Sequence, residues 1–189
     1  DGILVYKSNN NIIEENEIIN NVGEETNGIY ITESYYNTIE ANDILNNEGG
    51  SAIYIEFSNK NYIKNNNIEN NKYHGITIRY STENEVTGNS IVNNYNAGIR
   101  IDHDAENLLI KNNLIRGGMR GISLFGQEKD VTIEYNTIVE NEVGLEVSTL
   151  SNNLKIEYNN IYGNTENDLQ NNQIESLIIE DNYWCSTNS

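Results

Sequence analysis

The chain has 189 residues and carries 29 Asp and Glu against 11 Lys and Arg, a formal net charge of −18 at pH 7 with histidine neutral. That balance argues against nucleic acid and anionic membrane as partners, because both are held through Lys and Arg. Proline is absent, no apolar run reaches membrane-spanning length, and the lone Cys185 excludes an intrachain disulfide.

In chain order, one pattern opens with Gly2-Ile3-Leu4-Val5, passes Ile13 and reaches Asn16 and Ile18. It returns as Gly28-Ile29-Tyr30-Ile31 with Ile39, Asn42 and Ile44, then as Ala52-Ile53-Tyr54-Ile55 with Ile63, Asn66 and Ile68. The fourth copy is Gly75-Ile76-Thr77-Ile78 with Val86, Asn89 and Ile91, and the fifth is Gly98-Ile99-Arg100-Ile101 with Ile110, Asn113 and Ile115. Gly121-Ile122-Ser123-Leu124 with Ile133, Asn136 and Ile138 follows, and then Gly144-Leu145-Glu146-Val147 with Ile156, Asn159 and Ile161. The eighth copy, Asp168-Leu169-Gln170-Asn171 with Ile179, Asn182 and Trp184, is degraded in its first strand. Successive asparagines lie 26, 24, 23, 24, 23, 23 and 23 residues apart, so the chain is a tandem repeat.

Alternation of apolar residues over so few positions, with β-branched residues facing inward, predicts short strands rather than helices. Hairpins would reverse direction at each turn and lose the constant period. A coil of three strands that pairs in parallel with the coils above and below stacks like on like and buries a continuous core that one coil alone lacks. The predicted fold is therefore all-β, a right-handed parallel β-helix of about eight coils with three short strands per coil, forming one domain over 1–189. At ~4.8 Å per coil the rod is on the order of 35 Å long. The asparagines mark corners, where their side chains bond local backbone groups and tolerate left-handed conformations. A second ladder, Asn21, Asn47, Asn71, Asn94, Asn141 and Asn164, occupies the next corner and is interrupted by Gly118.

The pattern Gly-Ile-x-Ile followed by Ile-x-x-Asn-x-Ile-x-x-Asn resembles the right-handed parallel β-helix repeat. That repeat occurs in pectate-lyase-like proteins, copper-enzyme accessory proteins of the NosD type, alginate epimerases and many bacterial and archaeal surface proteins. The closing Asp181-Asn182-Tyr183-Trp184 resembles the Asn-Tyr-Trp that often follows the last coils of the surface group, with Cys185 where a Gly is usual. The resemblance implies an extracellular or cell-surface setting. It leaves activity open, since such folds carry lyases, hydrolases, epimerases and binders alike.

Function is sought where the copies differ. From the Gly-type position to the corner asparagine the count is 14 in coils one to four and 15 in coils five to seven. With it, the residue five before the corner changes from Asn11, Asn37, Asn61 and Asn84 to Leu108, Val131, Leu154 and Leu177. The outward positions of the Gly-Ile strands are more informative. Reading along the rod, they run through Leu4 and Tyr6, Tyr30 and Thr32, Tyr54 and Glu56, Thr77 and Arg79, Arg100 and Asp102, Ser123 and Phe125, and Glu146 and Ser148. Most of the positive charge and both histidines, His74 and His103, fall in coils four to six.

Tyrosine faces stack on sugar rings and arginines hold a uronate carboxylate, so Tyr6, Tyr30, Tyr54, Glu56, Arg79, Arg100 and Phe125 are the glycan-contacting candidates. The expected partner is a polysaccharide or cell-surface glycan, bound by a non-catalytic scaffold. The alternative is a polyuronate lyase or C5-epimerase using Arg79, Arg100, His103 and Asp102. The stretch Asp102-His103-Asp104 resembles the Asp-Pro-His-Asp/Glu motif of alginate epimerases but lacks its proline, and strand alternation would place Asp102 and His103 on opposite sides. No cofactor is implied. An acidic surface is compatible with calcium, although the calcium nonapeptide and EF-hand loops are missing. Bare solenoid ends predict either a piece of a larger surface protein or end-to-end stacking into a fibre.

Overall fold

A computed structural model describes residues 1–148, 151–173 and 176–185. Among the described residues there are 24 strands and no helix, divided into three sheets of eight. The first sheet collects Ile3–Tyr6, Ile29–Thr32, Ile53–Glu56, Ile76–Arg79, Ala97–Asp102, Arg120–Phe125, Val143–Val147 and Asn167–Asn171. The second runs from Ile12–Glu14 to Ile179–Glu180, and the third from Glu17–Ile19 to Tyr183–Cys185. Each strand pairs in parallel with its counterparts one coil away. Ile63, for example, lies between Ile39 and Val86, so the repeat period of the sequence becomes the stacking period of the fold.

The predicted inward residues form the core. Ile29, Ile31, Ile39, Ile44, Ile53, Ile55, Ile63 and Ile68 have no exposed surface, and the stack continues through Ile99, Ile110, Ile122 and Ile138. Burying each such side chain contributes roughly 2–3 kcal/mol, which a single coil with two open faces cannot realise.

The corner asparagines carry the polar side of the fold. Asn42 donates from its backbone N–H and from Nδ2 to Asn66 Oδ1, each at 3.0 Å, and its Nδ2 also reaches Ile13 O at 2.8 Å and Glu40 O at 3.0 Å. The same bonds recur at Asn66, Asn89, Asn113 and Asn136. A ladder asparagine thus satisfies a strand-end carbonyl and an amide that the bend would otherwise strand. The second ladder is interrupted at Gly118 as the sequence implies. There the backbone N–H of Gly118 still donates to Asn141 Oδ1 at 3.1 Å.

One expectation is corrected. The ladder asparagines do not themselves take the left-handed conformation; the residue before each one does, as in Glu15, Ala41, Asn65, Asn112 and Tyr135 with φ of 54–56°. The turn is made one residue early, which leaves the asparagine aimed inward along the ladder. A further ladder was not visible in the repeat pattern: Ser34 N donates to Ser58 Oγ and Ser58 N to Ser81 Oγ, both at 3.0 Å. It runs beside Asn37, Asn61 and Asn84. In coils five and six Leu108 and Val131 replace the asparagines of this corner, and the serine position becomes buried Ala105 and then buried Glu128, which accepts from Ser151 Oγ at 2.7 Å.

Candidate functional site

The first two coils carry extra residues between Asn21 and Gly28 and between Asn47 and Ala52, and these build a wall beside the first sheet. Val22 bridges to Glu48 in parallel, and Gly50 N donates to Thr26 O at 2.9 Å, so the segments 22–27 and 48–51 lie directly on one another. Gly49, at φ 122°, makes that approach feasible, since a Cβ there would sit 2.0 Å from Gly23 O. Between this wall and the outward side chains of the sheet lies an open groove of ≈ 690 Å³ that runs along the rod from Asp1 to Asp102.

Of the sequence-predicted residues, the groove brings together Tyr30, Tyr54, Glu56, Arg79, Arg100 and Asp102. Tyr30 and Tyr54 occupy the same position in adjacent coils and stack on each other, with ring centroids 5.2 Å apart and planes inclined by 28°. Both hydroxyls donate to Glu56, at 2.8 Å and 3.2 Å, and Arg79 Nη1 donates to Tyr54 Oη at 3.1 Å. Burial pushes the Tyr54 phenol up to about 12, so it remains a neutral donor across the physiological range. Arg79 Nε lies 3.5 Å from Glu56 Oε1, and Arg100 Nε donates to Asp102 Oδ2 at 3.2 Å. Neither arginine presents an unshared charge.

Tyr6, Phe125 and His103 do not line the groove. Tyr6 is exposed beside Lys7, and Phe125 lies at the strand end under the Arg100 guanidinium, 4.5 Å from ring centroid to Cζ. His103 completes a corner stack of aromatics: Phe57 and Tyr80 lie 5.0 Å apart, Tyr80 and His103 5.2 Å. The expectation that Asp102 and His103 face opposite sides fails. His103 follows the strand end at φ 44°, the chain turns there, and its Nε2 comes to 3.5 Å from Asp102 Oδ1.

Several outward positions are buried rather than exposed. Thr77 is covered through the 2.8 Å contact between its Oγ1 and Ser51 Oγ. Ser123 and Glu146 are covered by Arg120, whose Nε bonds Glu146 while Ser123 Oγ donates to the same carboxylate at 3.2 Å.

The residues that sequence reasoning left unassigned here are His74 and Tyr73. His74 occupies the place just before the Gly-type position, where the preceding coils carry Asn27 and Ser51, and a row of polar residues at that place is the signal that points to a site. Its side chain is 1% exposed, Nδ1 accepts from Ala97 N–H at 3.1 Å, and Tyr73 packs edge-on against the ring at 4.1 Å. Because Nδ1 is an acceptor, the ring proton is assigned to Nε2, which is buried with no hydrogen-bond partner in a residue that lines the groove. Burial, with Arg100 and Arg120 nearby, lowers the imidazole pKa to about 3.

That depression ties His74 to stability. The folded chain holds His74 neutral while the unfolded chain protonates it near ~6.5. The contribution is therefore complete above that pH and is lost on acidification toward about 3. Buried Glu128 is shifted upward and acts in the opposite direction, losing its contribution as pH rises. Comparing the protein with His74→Gln isolates the first effect, because both chains keep Glu128. Urea midpoints at pH 7 and near pH 4.5 are expected to show the parent losing more stability than the variant, with a difference in slope of about 1 kcal/mol per pH unit.

Among the described residues, no group of three or more His, Cys, Asp or Glu side chains is placed to hold a metal ion, and no helix is long and apolar enough to cross a membrane.

Three parallel sheets wound as stacked coils, with a lateral groove on one of them, define the class as a β-solenoid. A family profile described as a right handed beta helix region matches residues 1–71 and 27–184, and the chain belongs to that family. None of the curated proteins matches the sequence.

Proposed function

We propose that this protein is a rigid, non-catalytic β-helix scaffold of the cell surface or extracellular space that contacts a glycan in the groove of its first sheet. The groove itself carries the reading: it places Tyr30, Tyr54 and Tyr73 beside fixed carboxylate–guanidinium pairs. Aromatic rings offer apolar faces to sugar rings, while ion-paired side chains hold donors and acceptors in set directions. Tyr30 and Tyr54 cover one another, so half-exposed Tyr73 is the freest platform. The parallel stack is already ordered, which keeps the entropic cost of binding low.

Uronate lysis or epimerisation needs cationic groups free to neutralise a carboxylate and a base at the C5 proton. Arg79 and Arg100 each face a carboxylate, and His103 stands in the corner stack outside the groove. These placements favour binding over chemistry.

Proton NMR of neutral glycans and polyuronates mixed with the protein, with and without calcium, tests the proposal. The expected result is broadening of one class of glycan signals without new ones, and affinity roughly fivefold weaker in Tyr73→Ala. Unsaturated or epimerised sugar signals that vanish in Arg100→Ala or His103→Ala would make the protein an enzyme. Sharp spectra across the panel would remove the glycan as its partner.

A further inference from the structure

We infer that the groove selects an uncharged, hydroxyl-rich oligosaccharide, anchored by the buried His74 Nε2–H as donor and Asp102 Oδ1 as acceptor; this rests on the glycan reading above. Among the described residues five buried side-chain atoms have no hydrogen-bond partner: His74 Nε2, Arg79 Nε, Asp102 Oδ1, Glu128 Oε1 and Ser148 Oγ. The first three belong to residues lining this one groove. Arg79 Nε has Glu56 Oε1 and Asp102 Oδ1 has His103 Nε2 at 3.5 Å, neither in a hydrogen bond, so all three atoms keep hydrogen-bonding capacity that an external partner can take up.

The chemistry of the cluster limits what that partner is. His74 is 1% exposed and its Nδ1 is occupied by Ala97 N–H, so Nε2–H is a fixed donor. Asp102 is 8% exposed, with Oδ2 engaged by Arg100 and Oδ1 3.5 Å from His103 Nε2 but in no hydrogen bond, so Oδ1 keeps acceptor capacity. A carboxylate ligand would suit His74 and Arg79 but meet Asp102, Glu56 and Glu25 across the same space. An ammonium ligand would suit Asp102 but meet a neutral N–H and two arginines. A hydroxyl both donates and accepts, so a chain of hydroxyls satisfies both ends without placing a charge among carboxylates and guanidiniums.

The spacing argues for more than one sugar. His74 pairs with Ala97 in the next coil, and Asp102 lies five residues along that strand. At ~3.3 Å per residue the anchors are roughly 16 Å apart, longer than one sugar ring. Tyr54, aligned through Thr77 with Arg100, supplies an apolar face between them, and Tyr73 another just beyond His74.

Isothermal titration of the full chain with three sets of oligosaccharides tests this: neutral hexose and pentose oligomers, their uronate counterparts, and chitosan oligomers as the cationic set. A neutral oligomer is expected to bind at least tenfold tighter than its uronate or amino counterpart. His74→Leu is expected to lower that affinity roughly tenfold, while Tyr135→Ala, in an aromatic stack on another corner, leaves it unchanged. Tighter binding of a charged set by the parent protein would overturn the neutral selectivity and leave the glycan reading standing. Equal binding by a folded His74→Leu would remove the anchor. Silence from all three sets would overturn the glycan reading and this inference together.

Discussion

Replacing Asn89 by alanine is expected to destabilise the fold by about 3–5 kcal/mol, among the largest effects of any single truncation in the rod. Asn89 is 1% exposed at the centre of the main ladder. Its Oδ1 accepts both the backbone N–H of Asn66, at 2.9 Å, and Asn66 Nδ2, at 3.0 Å. Its own Nδ2 donates to Ile63 O, Thr87 O and Asn113 Oδ1. Truncation strands the Asn66 amide between two coils, where water does not reach, and leaves a cavity beside it. Asn16 provides the contrast: it is exposed, and its side chain only donates, to Asn42 Oδ1 and Glu14 O. Asn16→Ala is expected to cost below ~1 kcal/mol. Urea unfolding followed by circular dichroism measures both, and faster hydrogen exchange at the Asn66 amide in Asn89→Ala locates the lesion. Asn89→Asp separates hydrogen bonding from packing. It keeps the shape but loses the donor and buries a charge among carbonyls, so its stability should recover on acidification when the carboxyl again carries a proton.

The sequence made the coils legible because a solenoid repeats its contacts. Every inward isoleucine meets its counterpart one period away, so the spacing of Ile39, Ile63 and Val86 is itself the pairing of the second sheet. The ladder asparagines, the interruption at Gly118 and the change from Asn84 to Leu108 were legible for the same reason: each departs from an internal standard. Half of the predicted groove face could also be read, since alternation places Tyr30, Tyr54, Arg79 and Arg100 outward. What covers that face could not. Thr77 is covered through Ser51 of segment 48–51, and the charges beside buried His74 come from Arg100 and Arg120, and none of these repeats. The contact of His103 with Asp102 depends on one left-handed residue after the strand, which the alternation rule does not anticipate.

The second large effect lies at the glycine that opens most first-sheet strands, where Gly121→Val is expected to prevent folding at 37 °C or cost upward of about 4 kcal/mol. Gly121 has an ordinary φ, so backbone freedom is not the reason for it. A Cβ there would stand 2.4 Å from Gly144 O and 2.4 Å from Ile138 Cγ2. The first contact sets the spacing to the next coil, and the second is part of the core of the third sheet. Neither can retreat without moving a neighbour that repeats the same contact, as Gly98 does with Ile115 Cγ2 at 2.4 Å. Ala52 shows how much the position tolerates: a methyl group is accommodated there, fully buried, in one coil of the stack. Gly121→Ala is therefore expected to fold and to lose about 1–3 kcal/mol, as a local shift of the corner absorbs one carbon. Valine adds two branched methyls to a space already closed on two sides, and the coil must open or the strand must leave the sheet. Thermal unfolding of the pair decides the matter. A Val variant as stable as the Ala variant would mean that the corner is looser than these distances imply, and that the glycines recur for a reason other than close packing.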